Sequence, residues 1–159
     1  MSESAKHLVT EDRGITFVEM ATPTIPSMFG VQSIQSNPKD YQKLLYIGSR
    51  NCDTPSSDCH AELFYSSDKG QTWQAIASYV RGCSWAITTE FNAGDDAIIC
   101  EIYQDRVGDQ RTFHSASMNF VISRDFFATS SVLFRDIIGF VISRNYLIVA
   151  QVYFVMFNI

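Results

Sequence analysis

Apolar residues along the chain come in short runs, rich in Val, Ile, Phe and Tyr, separated by Gly, Asn, Asp, Ser and Pro. No segment sustains a 3.6-residue repeat, and short runs with this punctuation are those of strands. The pattern predicts strands at 6–10, 16–20, 28–34, 43–49, 60–66, 72–80, 83–88, 96–104, 115–122, 130–135, 137–143 and 146–152. Turn chemistry at Asn37-Pro38, Thr54-Pro55-Ser56 and Asn92-Ala93-Gly94-Asp95 separates them. An all-β body follows.

The chain also repeats. Thr10-Glu11-Asp12-Arg13-Gly14-Ile15-Thr16-Phe17 aligns with Ser66-Ser67-Asp68-Lys69-Gly70-Gln71-Thr72-Trp73. A worn third copy, Ser123-Arg124-Asp125-Phe126-Phe127-Ala128-Thr129-Ser130, lacks the glycine and the final aromatic. The aspartates recur after 56 residues (12 to 68) and after 57 (68 to 125). A period near fifty with about four strands in each is the signature of propeller blades. Each copy reads as a tight turn between antiparallel strands. Its aspartate accepts backbone N–H bonds, its glycine supplies positive φ, and Phe17 or Trp73 packs beneath it.

The 159 residues make one ordinary domain or a piece of a larger one. Hydrophobic residues at 46% are enough for a core, and the net charge is −5. Without a Lys/Arg run, no nucleic-acid partner is expected. The polar start resembles no secretory leader, and the uncharged stretch 146–159 is shorter than the roughly 20 residues a membrane helix needs.

The four cysteines pair by register. A hairpin that sets Cys83 opposite Cys100 also sets Trp85 opposite Ile98, with its turn near Phe91 and Asn92. Facing residues lie within disulfide reach. Cys52 and Cys59 close the loop between two strands in the same way, each link contributing roughly 2.5–3 kcal/mol. A metal site from Cys52, Cys59, His60 and Cys83 fits no common zinc spacing. Disulfides point to an oxidising compartment. His7, His60 and His114 stand apart from any nucleophile pattern and read as surface or hairpin residues, and Asp95, Asp96, Asp105 and Asp109 as solvated turns rather than calcium ligands. No catalytic residue, cofactor or metal is assigned.

The repeated turn resembles the Asp-box of sialidases, some glycosidases and sorting receptors, where it is a structural clasp. On that resemblance the clasp residues are Thr10, Asp12, Gly14, Thr16, Phe17, Ser66, Asp68, Gly70, Thr72, Trp73, Ser123, Asp125 and Thr129. The run from Leu44-Leu45-Tyr46-Ile47-Gly48 through Cys52, Cys59 and the second Asp-box to Cys83-Ser84-Trp85 is more specific. It resembles the luminal propeller of the sortilin family, in its fungal vacuolar-sorting branch, as does the polar turn Asn37-Pro38-Lys39-Asp40-Tyr41.

The resemblance implies a partial β-propeller of four-stranded antiparallel sheets, about three blades' worth over 1–152. It holds the last two strands of one blade, two full blades and the first two strands of the next. It implies a non-catalytic, membrane-anchored receptor in the Golgi and endosome lumen, with soluble vacuolar hydrolases as protein cargo. The chain carries no basic residue after 146–152 to match the family's carboxylate-holding position, so no ligand residue is transferred. The tail 153–159 departs from the pattern and reads as a truncation or mis-splicing product. A sialidase-like hydrolase fragment and a cytosolic Asp-box scaffold are the rival readings. The first would need an arginine cluster with an Arg-Ile-Pro near the start, which is missing.

Overall fold

A computed structural model describes residues 7–27, 34–52, 58–88, 90–104, 117–143 and 146–151. The described chain is β-strand, turn and coil throughout, with no helix among the described residues. Eleven strands appear in it: β1 (His7–Val9), β2 (Val18–Met20), β3 (Ile34–Ser36), β4 (Leu44–Arg50), β5 (His60–Ser66), β6 (Gln74–Ser78), β7 (Val80–Trp85), β8 (Ile98–Tyr103), β9 (Met118–Ser123), β10 (Ser131–Ser143) and β11 (Tyr146–Gln151). They form three antiparallel meanders: β1-β2, then β3-β4-β5-β6, then β7-β8-β9-β10-β11. This all-β architecture, curling at its far end, is that of a partial propeller.

Period-two alternation decides which side chains meet. On β4 and β5, Leu45, Ile47, Ala61 and Leu63 face one way and join Val80, Cys83, Trp85, Ile98 and Cys100 in a buried layer between the second and third sheets. Ile99, Met118, Phe120, Ile122 and Ile137 build a second layer on the opposite side of the third sheet. Tyr46 is fully buried, its ring 5.7 Å from Trp73 and 5.4 Å from His7, and its hydroxyl donates to the Thr24 carbonyl at 2.6 Å.

Two boundaries differ from the sequence expectation. The run 72–80 is not one strand: the chain leaves β6 at Ser78 and enters a new sheet at Val80, because Tyr79 stands at φ 60°. Asp136, at φ 54°, marks the corresponding point 57 residues on. There the runs 130–135 and 137–143 are joined as β10, which pairs with β9 on one side and β11 on the other across bulged register. Of the expected strand 28–34, residues 28–33 lie outside the described residues, and pairing begins at Ile34. Just before them, Ile25 and Ser27 bond to β4, with Pro26 facing Gly48. A Cβ on Gly48 would collide with the Thr24 hydroxyl, so only glycine admits this close approach.

Among the described residues, apolar side chains are exposed at both ends of the arc. Leu8, Phe17 and Val18 are exposed at one, and Phe134, Ile138, Val141 and Ile148 at the other.

Candidate functional site: the acidic bends and their sulfur links

All three repeated segments fold into the same bend. In the second, the Ser66 hydroxyl donates to Asp68 Oδ1 at 2.7 Å and receives Gly70 N–H at 2.8 Å. Thr72 closes the bend, its N–H donating to Asp68 Oδ1 at 2.9 Å and its hydroxyl to Oδ2 at 2.6 Å. The first bend repeats the set with Thr10, Asp12, Gly14 and Thr16, and adds Ile15 N–H to Asp12 Oδ1 at 3.0 Å. The third does so with Ser123, Asp125, Phe127 and Thr129 at 2.6 to 2.9 Å. Each bend joins two strands of one sheet: β1 to β2, β5 to β6, β9 to β10.

The electrostatics follow from the donors. Hydrogen bonds to a carboxylate favour its charged form. The Thr16 hydroxyl and N–H hold the Asp12 carboxyl down to about 2, and the same two Thr72 groups hold Asp68 at about 2. Thr129 lowers Asp125 likewise. The bonds that hold these carboxylates all come from their own bends.

Two consecutive residues in each bend take positive φ: Arg13 and Gly14, Lys69 and Gly70, Phe126 and Phe127. Gly70 has a second reason to be glycine, since a Cβ there would lie 2.5 Å from Met20 Sδ and 3.1 Å from Trp73 Cζ2. Trp73 spans two sheets, its Nε1 donating to the Ala21 carbonyl at 3.0 Å. Phe17 lies against its bend, its Cζ 3.9 Å from where a Gly14 Cβ would stand, yet is 58% exposed. Trp73 finds a sheet in front of it, whereas no described residue stands in the corresponding place before Phe17.

Cys83 and Cys100 face each other in the β7–β8 register, 4.1 Å apart at Cα, and are joined by a disulfide in the buried layer. Cys52 and Cys59 are joined as well, 4.6 Å apart at Cα. Trp85 faces Ile98. At the Cys52–Cys59 end His60 pairs with Arg50 in the β4–β5 hairpin, as expected of a hairpin residue, and is buried, stacked on Tyr79 at 4.2 Å with Nδ1 2.7 Å from the Asp58 carbonyl. The Tyr79 hydroxyl donates to Asp58 at 2.9 Å. His114, Asp105 and Asp109, like the tail 153–159, lie outside the described residues. Asp95 accepts from Asn92 at 3.0 Å and Asp96 binds Lys43 at 2.6 Å. Among the described residues no three His, Cys, Asp or Glu side chains gather to hold a metal.

Links between sheets escaped the sequence reading. Gln35 on β3 donates to the Cys83 carbonyl at 2.7 Å and accepts from Ser84 at 3.1 Å, Asn37 donates to the Asp95 carbonyl at 2.8 Å, and Lys69 binds Glu11 at 2.7 Å.

Comparison with known proteins decides the lineage. Residues 1–153 match the family model Sortilin-Vps10, described as sortilin, neurotensin receptor 3. The chain belongs to the Sortilin-Vps10 family. Its relatives include the vacuolar protein sorting/targeting protein 10 of Laccaria bicolor, 38% identical over 143 residues, covering 89% of this chain and 10% of that protein. Those of Mycosarcoma maydis (33% identical; 89% and 10%) and Schizosaccharomyces pombe (31% identical; 92% and 10%) align similarly. The Sortilin-Vps10 chain spans about a tenth of the length of these curated relatives. The family is one of sorting receptors, not an enzyme family. No helix among the described residues is long and apolar enough to cross a membrane.

Proposed function

We propose that the chain is part of the cargo-binding luminal propeller of a receptor that carries soluble hydrolases from the Golgi to the vacuole or endosome. The observation that carries this reading is the family match over residues 1–153. The bends are then Asp-boxes in a structural role, the clasp residues being those with the internal hydrogen bonds, and residues 1–152 are a propeller segment followed by an atypical tail at 153–159. Their carboxylates are committed internally, which supports a non-catalytic body over a sialidase-like one. The disulfides agree with an oxidising lumen and not with a cytosolic scaffold.

The test is a graft. This segment replaces the aligned segment of a full-length fungal relative, and a soluble vacuolar hydrolase is measured inside the cell and in the medium. Retention inside at the parental level is the expected result. Secretion equal to that of a receptor-null strain, with the chimera present at normal abundance in the same compartments, overturns the reading. Turnover of a fluorogenic sialoside by the purified chain overturns the non-catalytic part.

A further inference from the structure

The two disulfides stand in different surroundings. Cys83 and Cys100 are 5% and 0% exposed inside the buried layer, and they join neighbouring strands of one sheet. Cys52 and Cys59 are half-buried at the end of the β4–β5 hairpin and keep part of their surface open to solvent. Asn51 and Asp58, the residues directly before these two cysteines, are bonded as well. Asn51, at φ 57°, donates from Nδ2 to Asp58 Oδ2 at 2.6 Å. The other carboxylate oxygen, Oδ1, accepts the Tyr79 hydroxyl at 2.9 Å. These two donors, Tyr79 first, lower the Asp58 carboxyl below its ordinary range. Tyr79 is the left-handed residue at which the chain passes from β6 of the second sheet to β7 of the third. Its ring lies nearly parallel to that of His60, at 16°. One carboxylate thus ties the sulfur-closed end of a hairpin to the joint between two sheets.

We propose that the Cys52–Cys59 link is a redox latch: a dithiol reduces it while Cys83–Cys100 stays closed, and its reduction loosens the Tyr79 joint between the second and third sheets. The exchange is balanced within the pair of reactants. One thiolate of the dithiol attacks a sulfur of the link and displaces the other as a thiolate. The dithiol's second sulfur resolves the mixed disulfide. The dithiol ends as its own disulfide, and two electrons and two protons pass to Cys52 and Cys59, which become thiols. Access decides which link opens, because the attacking thiolate must reach a sulfur. The closed link removes conformational freedom from the loop it spans and so holds Asp58 beside Asn51. Once it opens, the hairpin end regains that freedom, and the Asp58 carboxylate holds Tyr79 for less of the time.

The purified chain is titrated with dithiothreitol under native conditions, alkylated and mapped by peptide mass spectrometry, with amide exchange followed in the same samples. Cys52 and Cys59 are expected to be reduced at least about tenfold faster than Cys83 and Cys100. The local probe is the Tyr103 N–H, which donates to the Tyr79 carbonyl at 3.1 Å. Its exchange should quicken about tenfold on reduction of the outer link, while Val121 in β9 keeps its rate. The Cys52→Ala/Cys59→Ala variant, in which the link never forms, should show the fast Tyr103 rate without dithiol. Tyr79→Phe keeps the ring over His60 and loses the hydroxyl. Its Tyr103 amide should be fast from the start, and reduction should add less than about twofold. Both links opening together, a Tyr103 rate that reduction leaves unchanged, a speed-up shared equally by Val121, or full acceleration by reduction in Tyr79→Phe overturns the proposal.

Discussion

The second and third bends reach one geometry from different sequences. Around Asp68 and Asp125 the serine, threonine and backbone donors take matching places. Yet Gly70 (φ 83°) has Phe127 (φ 66°) as its counterpart. A left-handed non-glycine residue costs about 1–2 kcal/mol. Phe126 and Phe127 offset that cost by packing against the buried layer between the sheets. The polar ring of Ser, Asp and Thr is therefore sufficient for the bend. The glycine of the second bend answers mainly to its neighbours, Met20 and Trp73, which leave no room for a Cβ.

The largest effect should come from cutting the link beneath the third bend. Replacing both Cys83 and Cys100 by alanine is expected to cost about 2–5 kcal/mol in urea unfolding. Amide exchange should then quicken in β8 and β9, next to the third bend, more than in β4 and β5. Uniform acceleration would deny that the two bends rest on separate supports. Gly70→Ala is expected to cost about 2–4 kcal/mol, from backbone strain and crowding together. The reciprocal Phe127→Gly should change stability by less than about 1 kcal/mol, because backbone relief and lost packing nearly cancel. Equal costs for the two would break the comparison.

Asp68→Asn and Asp125→Asn come next, each lowering Tm by a similar amount in calorimetry, since their bonds match. Their pH dependence has a fixed sign. Each folded carboxyl lies below its ordinary value of 3.8, so its contribution is complete above that pH and is lost as pH falls through the folded value, about 2 for Asp68. The parent should lose stability between about pH 4 and pH 2, with a shallower loss in either variant. Smallest of all, Lys69→Gln removes the exposed bridge to Glu11, an effect on Tm that should vanish at high salt.

Much of this was legible in the chain because strands buried on both faces, such as Leu44–Arg50 and Ile98–Tyr103, read as short continuous apolar runs set off by turn residues. The register placing Cys83 against Cys100 and Trp85 against Ile98 came from arithmetic on the sequence and is the one observed. Three features were not legible, for physical reasons. Tyr79 has every propensity for a strand, and only the need to pass between sheets drives it left-handed. Phe17 looks like Trp73 in sequence but has no described sheet to reach back to. His60 stands in the β4–β5 hairpin, one of its two expected places, but its burial was not legible, because Tyr79 turns back over it.

The third sheet is lined by hydrophobic layers on both sides, one shared with the second sheet and one folded under β10 and β11. The shared layer belongs to neither sheet alone, each supplying part of it. Damage to one sheet should therefore propagate as lost cooperativity along the arc, with melting that starts at the termini and advances inward, as in a stack whose pieces are stable only between neighbours.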